Sequence, residues 1–330
     1  MDTNYKTKKI VVMKFFKKNI LQVLDPSHKY WVQGGVFSDL RDTSKIFIEK
    51  PIYLPPPNSP KNFVAWLWKC FEISLHRKIL FSSITPLLNY KRYPFRLKKN
   101  KLALWFTHTD HDFSRIEIKA LRSCETIFIH SKNSQQLLRQ YSDAKLTPFL
   151  GAINPDRFKE MASIGKKVVW AGTCVERKRP QLFLETVTNN QSIEFRLIGK
   201  DWRKSNYWKL ISNLSNLEYI EFEGPLNSEI LDGCNTYLMT SSLEGGPMPL
   251  IETLAAGLYP VCTDTGFVSD VLDYVDLPKV FITPDSSHIA KQISEVSEIS
   301  IEKRLNFRNK ILNLDFQRLT NIINIGLDMH

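Results

Sequence analysis

The chain has 330 residues, of which 43% are hydrophobic and 24% are charged; this composition excludes a disordered protein and leaves room for two domains of about 150 residues each. Its 5 cysteines form no CxxC pair, which argues against a disulfide scaffold and indicates buried, reduced thiols in a reducing cytoplasm. The net charge of +11 comes from residues 1–105, where 20 Lys and Arg stand against 6 Asp and Glu, and this excess predicts a negatively charged partner.

The basic N-terminal segment, residues 8–24, is compatible with an amphipathic helix that carries Lys14, Lys17 and Lys18 on its polar face. Such helices lie on anionic membranes, and a second basic cluster follows at residues 91–101. The alternative is an ordinary first strand and helix with a solvated lysine face. We expect no membrane span and no signal peptide, and no nucleic-acid-binding motif accompanies the positive charge.

Short apolar runs alternate with amphipathic stretches through the first half of the chain. This βαβα rhythm predicts a parallel sheet wrapped by helices. Helices are predicted at residues 63–75 and 134–142. The predicted strands are residues 29–33, 45–49, 78–83, 101–108, 125–130 and 145–151.

Turn-forming residues interrupt this rhythm at residues 151–167, after which it restarts. The pattern predicts an α/β protein with two Rossmann-like domains joined near residue 155 and facing each other across a cleft. Ligands of such sheets bind beyond the carboxyl ends of the strands, so functional residues should lie in strand-to-helix loops. The predicted strands are 167–172, 194–199, 217–224, 236–241, 259–264 and 279–283, and the predicted helices are 179–188, 207–214, 249–257 and 267–273.

The segment EGGPMPLIE, residues 244–252, follows a predicted strand and begins a predicted helix. Gly245 and Gly246 would let the backbone approach a ligand, and the N–H groups at the start of the helix would favour a phosphate. Glu244 and Glu252 would then accept sugar hydroxyls on either side of a diphosphate. Alternatively, Glu252 stabilises the start of its own helix and Glu244 is an unrelated surface acid.

A basic loop follows another predicted strand of the second domain. Arg177, Lys178 and Arg179 precede a helix that has Pro180 in its first turn. Cations at the start of a helix oppose its dipole, so a bound anion such as a phosphate would account for them. The alternative is a solvated basic turn.

Taken together, these segments resemble a GT-B glycosyltransferase of the large retaining family 4. The resemblance covers roughly residues 100–327, and the combination of motifs is more specific than the E-x7-E spacing alone. The matching segments are SSLEGGPMPLIETLAAGLYPV, which contains the E-x7-E element, GAINPDRF (151–158), AGTCVERKRPQLFLE (171–185), FRLIGKD (195–201), YIEFEGPL (219–226) and LDFQRLTNIINIGL (314–327).

The resemblance implies roles for residues of the second domain. Glu252 would hold the ribose of the nucleotide, Glu244 would contact the donor sugar, and Lys178 would bind phosphate. Thr173 stands where the family usually has an arginine, for which Arg177 or Arg179 would substitute. The backbone of four consecutive residues would hold the sugar and the diphosphate: Gly245, Gly246, Pro247 and Met248.

Two loops of the first domain are further candidates. Gly34 and Gly35 follow a predicted strand, where the loop of the family lies beside the diphosphate and the acceptor; the alternative is a plain turn. His108 and His111 end the strand KLALWFT, and we take His108 as a candidate catalytic residue facing the cleft. Their spacing is also compatible with zinc, but the family acts without a metal and no fourth ligand is evident.

The predicted organisation is an acceptor domain over residues 1–154 with a basic segment at 1–27, a nucleotide-sugar domain over 155–312, and a C-terminal helix over 313–330 that returns to the first domain. The expected reaction is retaining, metal-independent and cofactor-free transfer of a sugar from a nucleotide-sugar donor to a glycan or lipid-linked oligosaccharide, in surface polysaccharide synthesis. It would take place at the cytoplasmic face of an anionic membrane, without nucleic acid. The alternatives are a GT-B enzyme with an epimerase-like reaction and a non-catalytic GT-B-fold binding protein.

Overall fold

The structure is a computed structural model that describes residues 19–26, 39–41, 43, 46–47, 50–95, 100–107, 111–296 and 298–327. The chain forms two compact units, and each contains its own sheet. The first unit comprises Met1–Ile129, Asn133–Phe149 and Phe316–His330, and the second comprises His130–Lys132 and Leu150–Asp315.

The sheet of the first unit has six strands in the order β2-β1-β3-β4-β5-β6, and every neighbouring pair is parallel. Its central strands are continuous apolar runs such as TIFI in β5, because helices cover both faces of a parallel sheet. Ile20 also forms a parallel bridge to Phe47 beside β1. The strands are β1 (Leu21–Leu24), β2 (Ile52–Tyr53), β3 (Lys78–Phe81), β4 (Lys101–Phe106), β5 (Thr126–Ile129) and β6 (Lys145–Pro148).

The sheet of the second unit has five parallel strands in the order β11-β10-β7-β8-β9. Along β7, Val168 and Trp170 belong to the core on one face, while Val169 belongs to the core on the other. This alternation is what a strand covered on both sides requires. The strands are β7 (Lys167–Ala171), β8 (Phe195–Gly199), β9 (Leu217–Glu221), β10 (Cys234–Met239) and β11 (Tyr259–Cys262).

Helices connect the strands in both units. The N-terminus of α1 is capped by Ser59, whose hydroxyl accepts from the Asn62 amide at 3.3 Å, and Pro60 occupies the first turn, where its missing N–H costs little. The helices of the described part of the chain are α1 (Pro60–Ser74), α2 (Ile84–Lys91), α3 (Arg115–Leu121), α4 (Lys132–Arg139), α5 (Pro180–Asn189), α6 (Trp208–Ile211), α7 (Met248–Ala255), α8 (Val268–Tyr274), α9 (Ser286–Val296), α10 (Ile301–Leu312) and α11 (Phe316–Gly326).

The predicted α/β class with parallel sheets is confirmed, and most predicted strands are present with shorter bounds. Three differences concern strands. The predicted strand 29–33 lies outside the described residues, as do residues 45, 48 and 49 of the predicted strand 45–49. Of the predicted strand 279–283, Phe281 forms only an isolated bridge to Cys262.

The predicted N-terminal amphipathic helix is wrong over its second part. Residues Leu21–Leu24 form β1, and all four are buried. A helix over residues 8–24 would place Ile20, Val23 and Leu24 on its apolar face, but they are core residues of the first sheet. Spacing of apolar residues does not separate a short buried strand from a helix. The lysine-bearing part, residues 8–18, lies outside the described residues.

The chain crosses between the units after Ile129, Lys132, Phe149 and Asp315. The domain boundaries expected after residues 154 and 312 stay a prediction. Ile153 forms a parallel bridge to Asp315, and its amide donates to the Leu314 carbonyl at 2.9 Å. Ile153 and Asp315 therefore pair within the second unit, at the two ends of its long segment Leu150–Asp315.

Among the described residues, no helix is long and apolar enough to cross a membrane. All of the cysteines are free thiols, and Cys70, Cys124, Cys234 and Cys262 are buried, whereas Cys174 is half-buried. Burial raises the pKa of the Cys70 and Cys124 thiols to about 12, so these thiols stay protonated and unreactive at neutral pH.

Candidate functional site

Two loops of the second unit carry most of the predicted site, and they follow neighbouring strands. The basic loop follows β7 and the EGGP loop follows β10, which pairs with β7 in parallel. The loops are tied together because the Thr240 hydroxyl donates to the Lys178 carbonyl at 2.8 Å and the Ser242 amide donates to the Arg177 carbonyl at 2.7 Å. The sheet therefore presents both loops at one edge, beyond the carboxyl ends of its strands.

Glu244 is the centre of this arrangement. Its carboxylate is buried, with an exposed fraction of 8%, and it pairs with Lys178 at 2.8 Å and Arg177 at 2.8 Å. The Ser241 hydroxyl donates to the same carboxylate at 2.9 Å, and the backbone amide of Glu244 donates to the Thr265 hydroxyl at 3.0 Å. The side chain is thus held from several directions.

The electrostatics of Glu244 follow from these contacts. Burial raises the pKa of its carboxyl, but the charges and hydrogen bonds of Lys178 and Arg177 outweigh burial, and the pKa lies below its ordinary value. The carboxylate is therefore ionised at neutral pH. Two cations beside one carboxylate leave the cluster with one unit of positive charge, which favours an anionic ligand.

The Lys178 side chain passes over Gly172 to contact Glu244. A Cβ atom on Gly172, which has a φ of +156°, would lie 2.8 Å from the Lys178 Cδ. Gly172 is fixed in turn, because its carbonyl accepts from the Trp202 indole at 2.9 Å and its amide donates to the Ile198 carbonyl at 2.9 Å. The turn after β7 therefore needs a residue without a side chain to let the lysine lie over it.

Glu252 lies on α7 and is also buried, with an exposed fraction of 5%. Burial raises the pKa of the Tyr237 phenol well above its ordinary value, and the nearby Cys262, Glu244 and Glu252 raise it further. Both glutamates of the E-x7-E element therefore lie within electrostatic reach of one buried tyrosine on β10. The alternative had Glu252 stabilising the start of its helix and Glu244 as a surface acid, but no acidic residue lies in the first turn of α7 and Glu244 is buried.

The residues between the two glutamates form the turn into α7. Pro247 has an extended backbone at the N-cap, and Met248 is the first residue of the helix. Gly246 packs so closely that a Cβ atom would lie 2.7 Å from the Phe267 ring and 3.0 Å from the His130 Nδ1. Gly245 and Gly246 lie between β10 and α7, as predicted, and Gly246 has no room for a side chain.

His130 is a residue of this region to which sequence reasoning assigned no role. Its ring is buried and lies 5.6 Å from the Phe267 ring, between centroids. Burial lowers the pKa of His130 to about 3, so the imidazole is neutral at physiological pH. The sequence feature that could have indicated His130 is its position in ETIFIH, directly after β5. Ligands of parallel sheets bind at this end of the strands.

The other predicted residues of the basic loop are Arg177, Arg179 and Thr173. The Arg177 guanidinium also donates to the Leu243 carbonyl at 3.1 Å. Arg179 has a left-handed backbone with a φ of 49° and is the N-cap of α5. The Thr173 carbonyl accepts from the Val175 amide at 3.0 Å within the turn. Of the two arginines considered as substitutes, Arg177 is the one that the structure brings to Glu244.

The candidates of the first domain fall mostly outside the described residues. The structure does not describe Gly34, Gly35 or His108. Their assignments therefore stay predictions. His111 is described: its Nε2 lies 3.2 Å from a Glu117 carboxylate oxygen. Glu117 also forms a capping box with Ser114 at the start of α3, which fixes the carboxylate that orients His111.

The described residues contain no group of three or more His, Cys, Asp or Glu side chains placed to hold a metal ion. The zinc alternative that the histidine spacing suggested thus has no described ligand set. His108 lies outside the described residues, and the expectation of a metal-independent reaction stays a prediction.

Comparisons with known proteins agree with this architecture. Residues 154–313 match the family described as glycosyl transferases group 1. No curated protein sequence matches the chain significantly.

Three solved structures share the fold at low sequence identity. Anabaena HepE in complex with UDP-glucose has a TM-score of 0.72 and 12% identity over 94% of this chain and 100% of HepE. Sucrose-phosphate synthase from Thermosynechococcus elongatus has a TM-score of 0.66 and 13% identity over 94% of this chain and 98% of the synthase. WaaG, a glycosyltransferase involved in lipopolysaccharide biosynthesis, has a TM-score of 0.65 and 12% identity over 92% of this chain and 99% of WaaG.

The resemblance to GT-B glycosyltransferases, first seen in the sequence motifs, is confirmed by these matches, while the family 4 subtype stays a prediction. The family match and the fold together support glycosyltransferase activity. The chain therefore has the GT-B fold, and residues 154–313 of its second unit match the group 1 glycosyl transferases.

Proposed function

We propose that the protein is a retaining glycosyltransferase that moves a sugar from a nucleotide-sugar donor to a hydroxyl of a glycan or lipid-linked oligosaccharide, in the synthesis of a surface polysaccharide. The observation that carries the proposal is the Glu244 cluster. A buried carboxylate with two cations at 2.8 Å stands at the strand-to-helix turn that begins α7. Sugar hydroxyls and a diphosphate are ligands that suit this combination of groups.

Each part of the cluster has a proposed role. Glu252 accepts the ribose hydroxyls, and Glu244 accepts hydroxyls of the donor sugar. Lys178 and Arg177 stabilise the diphosphate, aided by the backbone amides at the start of α7. HepE binds UDP-glucose, so we infer a uridine diphosphate donor as the first to test.

The proposed reaction breaks the bond between the anomeric carbon and the leaving phosphate oxygen. A new bond forms between that carbon and the acceptor oxygen, on the same face of the sugar. The acceptor proton passes to the leaving phosphate, so no dedicated protein base is needed. Lys178 and Arg177 stabilise the negative charge that grows on the phosphate, which lowers the barrier because this charge is larger in the transition state. No cofactor or metal takes part in this scheme.

The excess positive charge of residues 1–105 supports a place at the anionic inner face of the cytoplasmic membrane. A lipid-linked acceptor would be presented there. Attraction between a basic protein surface and acidic lipids falls off within a Debye length, so this association would be peripheral and sensitive to salt.

Donor binding is tested by thermal shift with UDP-, GDP-, ADP- and TDP-sugars. A ligand that binds only the folded chain raises its melting temperature. We expect one nucleoside diphosphate to stabilise the wild type and Glu252→Gln to reduce the shift strongly, since the carboxamide has one accepting oxygen in place of two and carries no charge. Glu302→Gln, at an exposed position in the first turn of α10, is the matched control and should keep the full shift.

The same preparation separates the proposed function from its alternatives. A transferase forms a product only when an acceptor is added, and nuclear magnetic resonance of the product shows retention at the anomeric carbon. An epimerase converts the donor sugar without an acceptor, and a binding protein converts nothing. A wild type whose melting temperature none of the four donors raises would contradict the proposal.

A further inference from the structure

Helix α1 of the first unit has two apolar faces. Its inner face packs Trp66, Cys70 and Ile73 into the core of the first sheet. Its outer face carries four large apolar side chains that are exposed. We call these the outer stripe: Val64 (67% exposed), Trp68 (69%), Phe71 (48%) and Leu75 (51%).

The spacing of the outer stripe, at positions 64, 68, 71 and 75, repeats every three or four residues. Such positions form one line along a helix. That line lies opposite Trp66 and Ile73, so packing against the sheet explains the inner face and not the outer one. Exposed apolar surface gathered on one face indicates a binding surface.

Two further aromatic side chains near α1, Phe63 and Phe95, are exposed, and they contact the buried Trp66 and Tyr93 rings rather than the outer stripe. The Phe63 and Trp66 rings lie 5.5 Å apart, the Trp66 and Tyr93 rings 6.2 Å apart, and the Tyr93 and Phe95 rings 5.8 Å apart, between centroids. Phe63 is 45% exposed and Phe95 is 73% exposed. Aromatic side chains are enriched where proteins meet the interface of a bilayer.

The charge of the surrounding chain indicates the kind of partner. Between Lys50 and Trp105 there are 8 lysines and 3 arginines against a single acid, Glu72. Exposed cations flank the outer stripe, with Lys61 in the first turn of α1 and Arg77 just beyond Leu75. A second copy of the chain on the same face would bring these like charges together. An anionic surface would attract them.

We propose that α1 is a membrane-docking helix, which lies in the plane of an anionic lipid surface with the outer stripe inserted among the headgroups and with Lys61 and Arg77 on lipid phosphates. At about 1.5 Å per residue, its 15 residues span about 22 Å. The apolar side chains supply hydrophobic burial and the cations supply attraction to acidic lipids. The inference deepens the proposed function, since it rests on an acceptor held in the membrane and names the element that brings the enzyme to it.

The test is co-sedimentation of the full chain with two kinds of vesicle. One contains equal parts of phosphatidylglycerol and phosphatidylcholine, and the other contains phosphatidylcholine alone. We expect the wild type to bind the mixed vesicles far more tightly. Trp68→Gln combined with Phe71→Gln should weaken that binding by about tenfold or more, because each side chain loses apolar burial in the membrane.

Matched variants keep this experiment interpretable. Ile301→Gln with Leu305→Gln removes two exposed apolar side chains from α10 of the second unit (62% and 40% exposed) and should leave vesicle binding unchanged. Lys61→Gln with Arg77→Gln should lower binding to the mixed vesicles and reduce its sensitivity to salt. Glutamine favours helices, and the melting temperature of each variant checks that it is folded.

Three results would overturn the inference. The first is equal binding of the wild type and the Trp68, Phe71 variant to mixed vesicles. The second is a wild type that binds neither vesicle, which would favour an acidic protein as the partner. The third is a dimeric wild type combined with a monomeric Trp68, Phe71 variant. That result would mean that the outer stripe binds a second copy of the chain.

Failure of the docking inference can be told from failure of the proposed function. The Trp68, Phe71 variant should keep the full thermal shift with the nucleotide-sugar donor, because α1 belongs to the first unit and the Glu244 cluster to the second. A chain that binds anionic vesicles but no nucleotide sugar would keep the docking helix and lose the proposed reaction.

Discussion

The buried carboxylate of Glu244 pairs with two cationic side chains, Lys178 and Arg177. Two cations at 2.8 Å keep its carboxylate ionised although it is buried, and the surplus positive charge remains available to a phosphate. An isolated buried carboxylate would instead tend to take up a proton. The hydroxyls of Ser241 and Thr265 hold its side chain and backbone in place, so the carboxylate is positioned before any ligand binds.

His130 should make the folded chain sensitive to acid. Burial lowers the pKa of its imidazole to about 3 from an ordinary value of 6.5. Between these values the unfolded chain takes up a proton that the folded chain does not. The free energy of unfolding is therefore unaffected by this group above pH 6.5 and declines as the pH falls towards 3, by at most about 1.4 kcal/mol per pH unit.

The measurement is urea unfolding of the wild type and of His130→Asn between pH 7 and 4. We expect the free energy of unfolding of the variant to fall less steeply with acid, because asparagine has no proton to take up. Parallel slopes for the two proteins would show that His130 is not buried in its neutral form.

At the residue scale, the sequence indicated candidate residues but not their contacts. Glu244, Lys178 and Arg177 were all expected at the candidate site, yet their direct pairing was not, because residues 66 positions apart meet only when the sheet is assembled. His130 was missed because its burial against Phe267 depends on a residue far along the chain. The neutral state of a histidine cannot be inferred before its neighbours are known.

At the scale of elements, glycines set how closely the loops of the second unit approach each other. A Cβ atom on Gly199, at the end of β8, would lie only 2.0 Å from the Gly172 carbonyl oxygen. Backbone cannot move aside as the end of a flexible side chain can. The turn after β7, over which Lys178 lies, therefore depends on a glycine in the neighbouring strand.

We expect Gly199→Ala to lower the free energy of unfolding by about 3 kcal/mol or more, since an overpacked methyl group would push two strands apart. Gly233→Ala is the control. Its φ is +76° and its added Cβ would meet no atom within 4 Å, so only backbone strain of about 1 kcal/mol applies. Chemical denaturation of both variants gives the comparison, and equal losses would mean that the close approach at Gly199 is not limiting.

Periodicity predicted the elements where the chain is regular and failed where a run is short. The strands β3, β4, β5 and β7 are uninterrupted apolar runs bounded by polar residues, so their positions could be predicted. Residues Leu21–Leu24 carry the same signal, but the lysine-rich residues before them extended a helical spacing across the run. Residues Leu21–Leu24 form a strand because they pair with β2 and β3, and this pairing is visible only in the structure.

At the scale of the molecule, the chain leaves the first unit and returns to it with its last helix. Helix α11 belongs to the first unit. The Thr126 hydroxyl donates to the Gly326 carbonyl at 2.6 Å, and the Lys145 ammonium donates to the Ile325 carbonyl at 3.0 Å. Completion of the first core therefore requires residues that are made after the whole second unit.

This dependence predicts a local effect of a distant substitution. Ile323 is fully buried on α11, and Ile323→Ala should cost about 2–5 kcal/mol through lost burial and the cavity left behind. The core clusters found among the described residues each lie within one unit, so the loss should fall on the first. In hydrogen–deuterium exchange, the amides of β5 and β6 should exchange faster in the variant, while those of β7 and β8 keep their wild-type rates. Equal acceleration in all four strands would instead show that the units unfold as one, and α11 would then stabilise the entire molecule rather than the sheet it contacts.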